Sequence, residues 1–437
     1  MMIYIETMGC PKNANDSQVA AGILENAGHQ MVDSAVDADV VMVNTCGFIN
    51  DAKTESIDKI FDMIQCKGEE KILIVSGCLS QRYEEELYEE MPEVDIFIGV
   101  NDYPNLPKIL SDFKAGNRKH YLSDYSKEFL ETPFRKLDEN PYSATVKISE
   151  GCNNVCAYCV IPQIRGKYRS RKKEDILKEC ELLAGNGCKE LILIAQDVTA
   201  YGMDLYGGFV LPELLTQLCK IEGISWIRLM YCYEDRITDE LIEVMANEEK
   251  ICHYIDIPIQ HTSTKVLKAM NRRSTKESIK STLTKLRKAM PDIHIRTTLI
   301  TGFPGENEGD FDQLLEFTEE NKFERLGVFA YSKEEGTPAA DMEDQVPEEI
   351  KTQRKDTIMR RQIDISLENN QEKIGQTMDV IVDEKEEDET YIGRTRYDAP
   401  EIDNTVLFTS ENELKPGDLV KVNITDGFDY DLVGTEV

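Results

Sequence analysis

Long apolar runs are missing from this 437-residue chain. No stretch approaches the eighteen or so consecutive apolar residues that a membrane-crossing helix needs, so no membrane partner is expected. The N-terminus, Met1-Met2-Ile3-Tyr4-Ile5-Glu6, lacks the basic stretch and apolar core of a secretory leader, which predicts a cytoplasmic location. Basic side chains are scarce against acidic ones, 50 to 82, and leave a net charge of −32. Phosphate backbones repel such a surface, because nucleic-acid affinity rests on Lys and Arg displacing counterions. A basic partner is the better match, although acidity also serves plain solubility. No long repeat and no extended low-complexity segment is present. What remains is ordinary globular material, 41% hydrophobic and long enough for two or three domains.

Twelve cysteines depart from that plainness. In a reducing compartment they are expected as metal ligands or buried thiols rather than disulfides. Six fall into two sets of three: Cys152, Cys156 and Cys159 in one short loop, and Cys10, Cys46 and Cys78 across the first eighty residues. A [4Fe-4S] cluster normally takes four Cys ligands. Each set is one short, which leaves an iron open to a substrate or cofactor, much as a catalytic zinc keeps one position free. For the loop Gly151-Cys152-Asn153-Asn154-Val155-Cys156-Ala157-Tyr158-Cys159 the alternative is a structural zinc site. Such a site wants four ligands in closed geometry, and the nearest further thiol, Cys180, falls in an expected helix. The shortage points to chemistry; a non-enzymatic iron-sulfur electron carrier is the alternative from another class. Cys66, Cys180, Cys188, Cys219, Cys232 and Cys252 read as small apolar residues, and Trp226 as core.

The organisation is α/β. Apolar runs at 3–7, 40–44, 71–76 and 95–98 predict buried strands, with helices over 14–27, 52–64 and 81–90 between them. That alternation gives an N-terminal doubly wound parallel sheet domain, residues 1–115. Cys10, Cys46 and Cys78 each follow one of its first three strands, so the crevice at the strands' carboxyl ends can gather all three. A polar linker is expected over 112–141. Six further strands, at 145–149, 191–195, 226–231, 254–259, 294–300 and 325–331, predict an open, partial (β/α)6 barrel over 140–371, with functional residues at the strands' carboxyl ends. After Gly375 short alternating strands at 378–383, 390–395, 404–409, 419–424 and 430–435 predict a five-stranded antiparallel β-barrel, residues 373–437. Lys415-Pro416-Gly417-Asp418 supplies a turn.

The Cys-x3-Cys-x2-Cys spacing, with Tyr158 before the last Cys, resembles the signature of the radical S-adenosylmethionine (SAM) superfamily. Together with Thr7-Met8-Gly9-Cys10-Pro11-Lys12-Asn13, Asn44-Thr45-Cys46-Gly47-Phe48-Ile49, Gly77-Cys78-Leu79 and the run Ile161-Pro162 to Arg171, the chain resembles the methylthiotransferases over nearly its whole length, and its barrel resembles their TRAM domain. The resemblance implies two 4Fe-4S clusters, SAM as cofactor and an electron donor. It implies SAM contacts near Tyr158, Gln196, Asp197 and Gly302, although a turn glycine chosen for backbone geometry also explains Gly302. Pro11-Lys12-Asn13 and Gly47-Phe48-Ile49 resemble the branch that modifies an aspartate of ribosomal protein twelve of the small subunit. The other branch modifies a tRNA adenosine. Residues 373–437 carry 6 basic and 17 acidic side chains, net −11, a barrel that should repel tRNA and attract a basic ribosomal protein. Glu234 stands where the family usually has proline. His261 is given no catalytic role, and no protein acid or base stands out. The basic stretch 165–173 either neutralises cluster and cofactor or is a solvated helix start.

Overall fold

The alternation of short apolar runs and amphipathic stretches folds much as its periods predict in this computed structural model, which describes residues 1–68, 70–114, 117–123, 134–137, 142–386 and 389–437. The chain forms two compact units: Met1–Asp138 with Lys147–Asp175 and Glu334–Thr337, and Glu139–Val146 with Ile176–Lys333 and Pro338–Val437. Within the expected linker over 112–141, Lys119–Tyr121 is instead a strand of the first sheet, and residues 115–116, 124–133 and 138–141 lie outside the described residues.

In the first unit β1 (Met2–Thr7), β2 (Gln30–Met31), β3 (Val40–Thr45), β4 (Ile72–Gly77), β5 (Ile96–Ile98) and β6 (Lys119–Tyr121) form one sheet in the order β2-β1-β3-β4-β5-β6. Every pairing is parallel. All six residues of β3 are buried, the reason its first four form a continuous apolar run and not an alternation. Helices α1 (Pro11–Asn26) and α5 (Leu106–Asp112) bury Ala20, Leu24, Leu106 and Ile109 with Val40, Ile74 and Ile96 on one face. On the other face α2 (Asn50–Cys66), α3 (Cys78–Arg82) and α4 (Glu84–Glu90) place Ile60, Leu79 and Leu87 with Val41, Val43 and Val75. The helix expected over 81–90 is two helices, broken at Tyr83, whose φ of −130° and ψ of 36° are non-helical. Neither β2 nor β6 is expected from sequence, since both are too short to show a period. Strand order reverses between β1 and β3, the point where doubly wound sheets open a crevice for ligands.

After β7 (Ser143–Lys147) the chain makes a small antiparallel ribbon of β8 (Ser149–Glu150) with β9 (Arg169–Ser170). Between those two strands lie the second cysteine loop and α6 (Ile161–Arg165).

In the second unit β7 is followed by β10 (Glu190–Ile194), β11 (Trp226–Leu229), β12 (Ile251–Asp256), β13 (His294–Thr301) and β14 (Arg325–Ala330) in the order β14-β13-β12-β11-β10-β7. β10 through β14 pair in parallel. Helices α7 (Lys173–Gly185), α8 (Leu211–Leu218), α9 (Asp239–Asn247), α10 (Thr264–Ala269), α11 (Lys276–Ala289) and α12 (Glu308–Asn321) alternate with them, and α13 (Glu348–Gln371) follows. This is the expected open series of six. Trp226 is core, 5% exposed.

β15 (Thr377–Lys385), β16 (Thr390–Thr395), β17 (Val406–Thr409), β18 (Leu419–Gly427) and β19 (Leu432–Glu436) close a barrel in the order β15-β16-β17-β19-β18. The sequence predicts antiparallel pairing throughout; the structure corrects this at one seam, where β17 and β19 run parallel. The reason is parity: a ring of five strands cannot alternate direction all the way round. Buried ion pairs join barrel to sheet. Glu190 pairs with Arg228 at 2.9 Å and Arg394 at 2.6 Å, Arg325 Nε donates to Asp398 at 2.9 Å, and Arg296 pairs with Asp403 at 2.5 Å. No helix among the described residues is long and apolar enough to cross a membrane.

Candidate iron-sulfur and cofactor sites

Cys10, Cys46 and Cys78 each follow a strand, β1, β3 and β4, at the carboxyl edge of the first sheet. Cys10 is the N-cap residue of α1. Gly9 lets its loop approach Cys46: φ is +88°, and a Cβ there would stand 2.7 Å from Cys46 Cβ and 3.0 Å from its sulfur. Asn13 ties the three loops together. Its Nδ2 donates to the carbonyls of Met8 at 2.9 Å and Thr45 at 3.0 Å, and the Cys78 thiol faces its Oδ1 at 3.7 Å. Burial pushes the Cys46 thiol up to about 11, with Cys78 and Cys10 adding to the rise. Burial raises Cys78 too, against the pull of Arg165. Thiols held neutral in this way ionise once a metal supplies the countercharge.

Cys152, Cys156 and Cys159 form the second set. Backbone N–H groups already point at two of these sulfurs, Asn154 to Cys152 at 3.3 Å and Ile161 to Cys159 at 3.5 Å. Burial raises the Cys159 thiol, and the neighbouring Cys156 and Cys152 raise it further. The donor sets, three buried or half-buried thiols each, fit a cluster, whose thiolates ligate separate irons.

Around them the first unit buries four charges. Arg165, the last residue of α6, is 2% exposed. Its Nη1 meets Asp16 at 2.6 Å and Glu150 at 3.3 Å, and its Nη2 donates to Asn13 Oδ1 at 2.8 Å and Cys78 Sγ at 3.2 Å. Lys147 completes the group, 2.5 Å from Asp16 and 2.8 Å from Glu150. Arg165, Arg169 and Arg171 are buried, and only Lys167 and Lys172 of that basic stretch are exposed, so the solvated-helix reading does not hold for the arginines. Segment 334–337 adds a strap. Buried Glu334 takes Lys53 at 2.8 Å and Arg82 at 2.9 Å, Arg82 donates to Gly47 O at 3.0 Å, and Gln163 donates to Gly336 O at 2.8 Å.

Of the four residues that the family resemblance assigns to SAM, half-buried Tyr158 stands in the first unit, between Cys156 and Cys159. Gln196, Asp197 and Gly302 belong to the second, after β10 and β13. Asp197 Oδ1 accepts from Ala200 N at 3.1 Å and Thr199 Oγ1 at 2.7 Å, and its other oxygen pairs with Arg236. Gly302 has φ +72°, and a Cβ would fall 2.2 Å from Lys351 Cγ. Glu306, a residue the sequence left without a role, fixes that turn by accepting from Gly302 N at 2.8 Å and Phe303 N at 3.3 Å, and from Arg354 at 2.7 Å. His261 is structural: its Nδ1 accepts from the backbone of Thr262 and Ser263, each at 2.9 Å, and Nε2 lies 3.4 Å from Glu306. Gly302→Ala should therefore destabilise the protein by roughly 2–4 kcal/mol, from the left-handed backbone plus overpacking, read as a lower urea midpoint.

Glu234 sits in a short turn after β11, buried, 3.5 Å from Arg272. Tyr231 and Gln260 hold φ of 60° and 68° beyond the ends of β11 and β12, a backbone conformation that concentrates at functional sites. Neither has a signal in single-sequence patterns. Cys180, Cys188, Cys219, Cys232 and Cys252 are buried, as expected of small apolar residues, but Cys66 is exposed. It ends α2, off the stripe that buries Ser56 and Ile60.

Residues 146–318 match the Radical SAM superfamily, residues 2–99 the family described as "Uncharacterized protein family UPF0004", and residues 374–437 the TRAM domain. Sheet, thiol loop and barrel together define a radical SAM enzyme of three-part architecture. The "Ribosomal protein uS12 methylthiotransferase RimO" of Clostridioides difficile strain 630 is 50% identical over 99% of this chain and 98% of its own. The protein of that name from Lachnoclostridium phytofermentans is 46% identical over 100% of both. The chain belongs to the RimO family of methylthiotransferases. Among solved structures, the radical SAM methyltransferase TsrM from Kitasatospora setae superposes with a TM-score of 0.58 over 77% of this chain and 76% of that one, at 14% identity, a likeness of fold alone.

Proposed function

We propose that the protein places a methylthio group on the β-carbon of an aspartate of ribosomal protein uS12, using SAM and two 4Fe-4S clusters. The observation that carries this reading is full-length similarity to RimO proteins combined with two three-thiol sets in one compact unit. When bound, cluster and SAM supply the one-electron chemistry that opens a C–H bond beyond the reach of side-chain bases. The chain's own part is to hold and shield. Cys10, Cys46 and Cys78 take one cluster; Cys152, Cys156 and Cys159 take the other. The family resemblance assigns SAM contacts to Tyr158 in the first unit and to Gln196, Asp197 and Gly302 in the second, and no side-chain acid or base is assigned.

The domains in this reading are 1–115 for the first thiol set, 140–371 for radical SAM chemistry and 373–437 for the barrel. The barrel's net charge of −11 suits a basic ribosomal protein, met on the ribosome in the cytoplasm, and disfavours tRNA. A cellular electron donor completes the set of partners. Mass spectrometry of uS12 from a strain lacking the gene should show the methylthio mass gone, and restored on complementation. A modification that persists in that strain rejects the assignment.

A further inference from the structure

One cation reaches from the helix behind the second thiol set into the ligands of the first. Arg165 lies six residues after Cys159, and its Nη2 donates to Cys78 Sγ at 3.2 Å and to Asn13 Oδ1 at 2.8 Å. Its Nη1 is held by Asp16 at 2.6 Å and Glu150 at 3.3 Å. Four acceptors surround one planar fork, an arrangement that a lysine ammonium cannot reproduce. Cys78 packs against Val160 and Ile164, so apolar side chains back the sulfur.

We propose that Arg165 is a positioning residue that sets the reduction potential of the cluster on Cys10, Cys46 and Cys78 through its hydrogen bond to the Cys78 sulfur. The proposal rests on the assignment of a cluster to those three thiols. Adding one electron to a cluster makes its thiolate sulfurs more negative, with no bond made or broken. An N–H donor carrying full charge beside such a sulfur, in a site of low dielectric, stabilises the reduced state more than the oxidised one and raises the potential. Arginine stays protonated throughout the physiological range, so the bias is permanent. Asp16 and Glu150 fix where the charge points, and with Lys147 they leave the buried group of four neutral overall.

The full-length chain with Cys152, Cys156 and Cys159 replaced by alanine isolates the first cluster, which dithionite titration followed by electron paramagnetic resonance then reads. About four irons should remain. Arg165→Gln should lower the one-electron reduction equilibrium about tenfold, ~59 mV, and Arg165→Lys, which keeps charge but not the fork, should fall between. Independently, protein grown with guanidino-15N arginine should show 15N hyperfine coupling to the reduced cluster, lost in Arg165→Lys. Absence of iron in the triple variant overturns the cluster assignment and this proposal with it. Four irons with an unchanged potential in Arg165→Gln overturns the proposal alone. Should Arg165→Gln fail to load iron, the 15N spectrum decides, and no coupling overturns the proposal.

Discussion

Alanine at Cys152, Cys156 and Cys159 should abolish SAM cleavage altogether while halving bound iron, from about eight atoms per chain to about four. Alanine at Cys10, Cys46 and Cys78 should remove the other four, leave 5'-deoxyadenosine production in place and stop methylthio transfer. The two triple variants would thus separate radical generation from sulfur delivery. The asymmetry follows from the donor sets, since each has three thiols and so leaves one metal corner for a reactant, but only the second matches the radical SAM spacing. Anaerobic reconstitution, an iron assay and chromatography of the nucleoside products check both halves. A wild-type chain that never exceeds about four irons, or SAM cleavage that survives loss of the 152–159 set, would refute the division of labour.

Glu190→Gln should lower stability by about 3–5 kcal/mol, the usual effect of removing one partner from a buried ion pair. Glu190 and Arg228 are fully buried and Arg394 nearly so, and Ser143 also donates to the carboxylate at 2.8 Å. After the substitution Arg228 keeps the Arg396 carbonyl at 3.0 Å and the Tyr254 ring and gains a neutral amide oxygen in place of the carboxylate, and a guanidinium cannot shed its proton. Urea unfolding measures the loss; Glu368→Gln in the exposed pair with Lys322 should change little. The pH dependence has a definite sign. Burial alone would raise the Glu190 carboxyl, but Arg394 and Arg228 outweigh it and bring it down to about 2; Arg325 and Lys373 do the same for Asp398, to about 2. Carboxyls depressed below their unfolded value of about 4 stabilise the fold above that value, and the contribution disappears as pH falls toward 2. Glu190→Gln should therefore flatten the acid limb of the stability curve. An acid limb as steep as that of the wild type would rule out this carboxylate as its source.

The longer strands of both sheets were readable because buried parallel strands carry continuous apolar runs, as in 40–43 and 191–194, whereas β2 and β6 are too short to show one. The six cysteines proposed as cluster ligands were readable from spacing and from their positions after strands. What escaped was whatever depends on partners far apart in sequence. The break at Tyr83 leaves the helical pattern of 81–90 unchanged, and the parallel seam of the barrel follows from closure, which no local pattern encodes. Arg165 looked like one member of a basic stretch because its partners Asp16 and Cys78 lie 149 and 87 residues away. Asn13 was visible only as a motif letter; its work on three loops needs the folded crevice.

The strap at 334–337 and the Arg165 group bear on how this protein can be dissected. A fragment ending near residue 115 would contain Cys10, Cys46 and Cys78 but not Lys147 or Arg165, leaving Asp16 buried without either cation, nor Glu334, stripping Lys53 and Arg82 of theirs. In a nascent chain this same set of ion pairs is complete only after Glu334 has emerged.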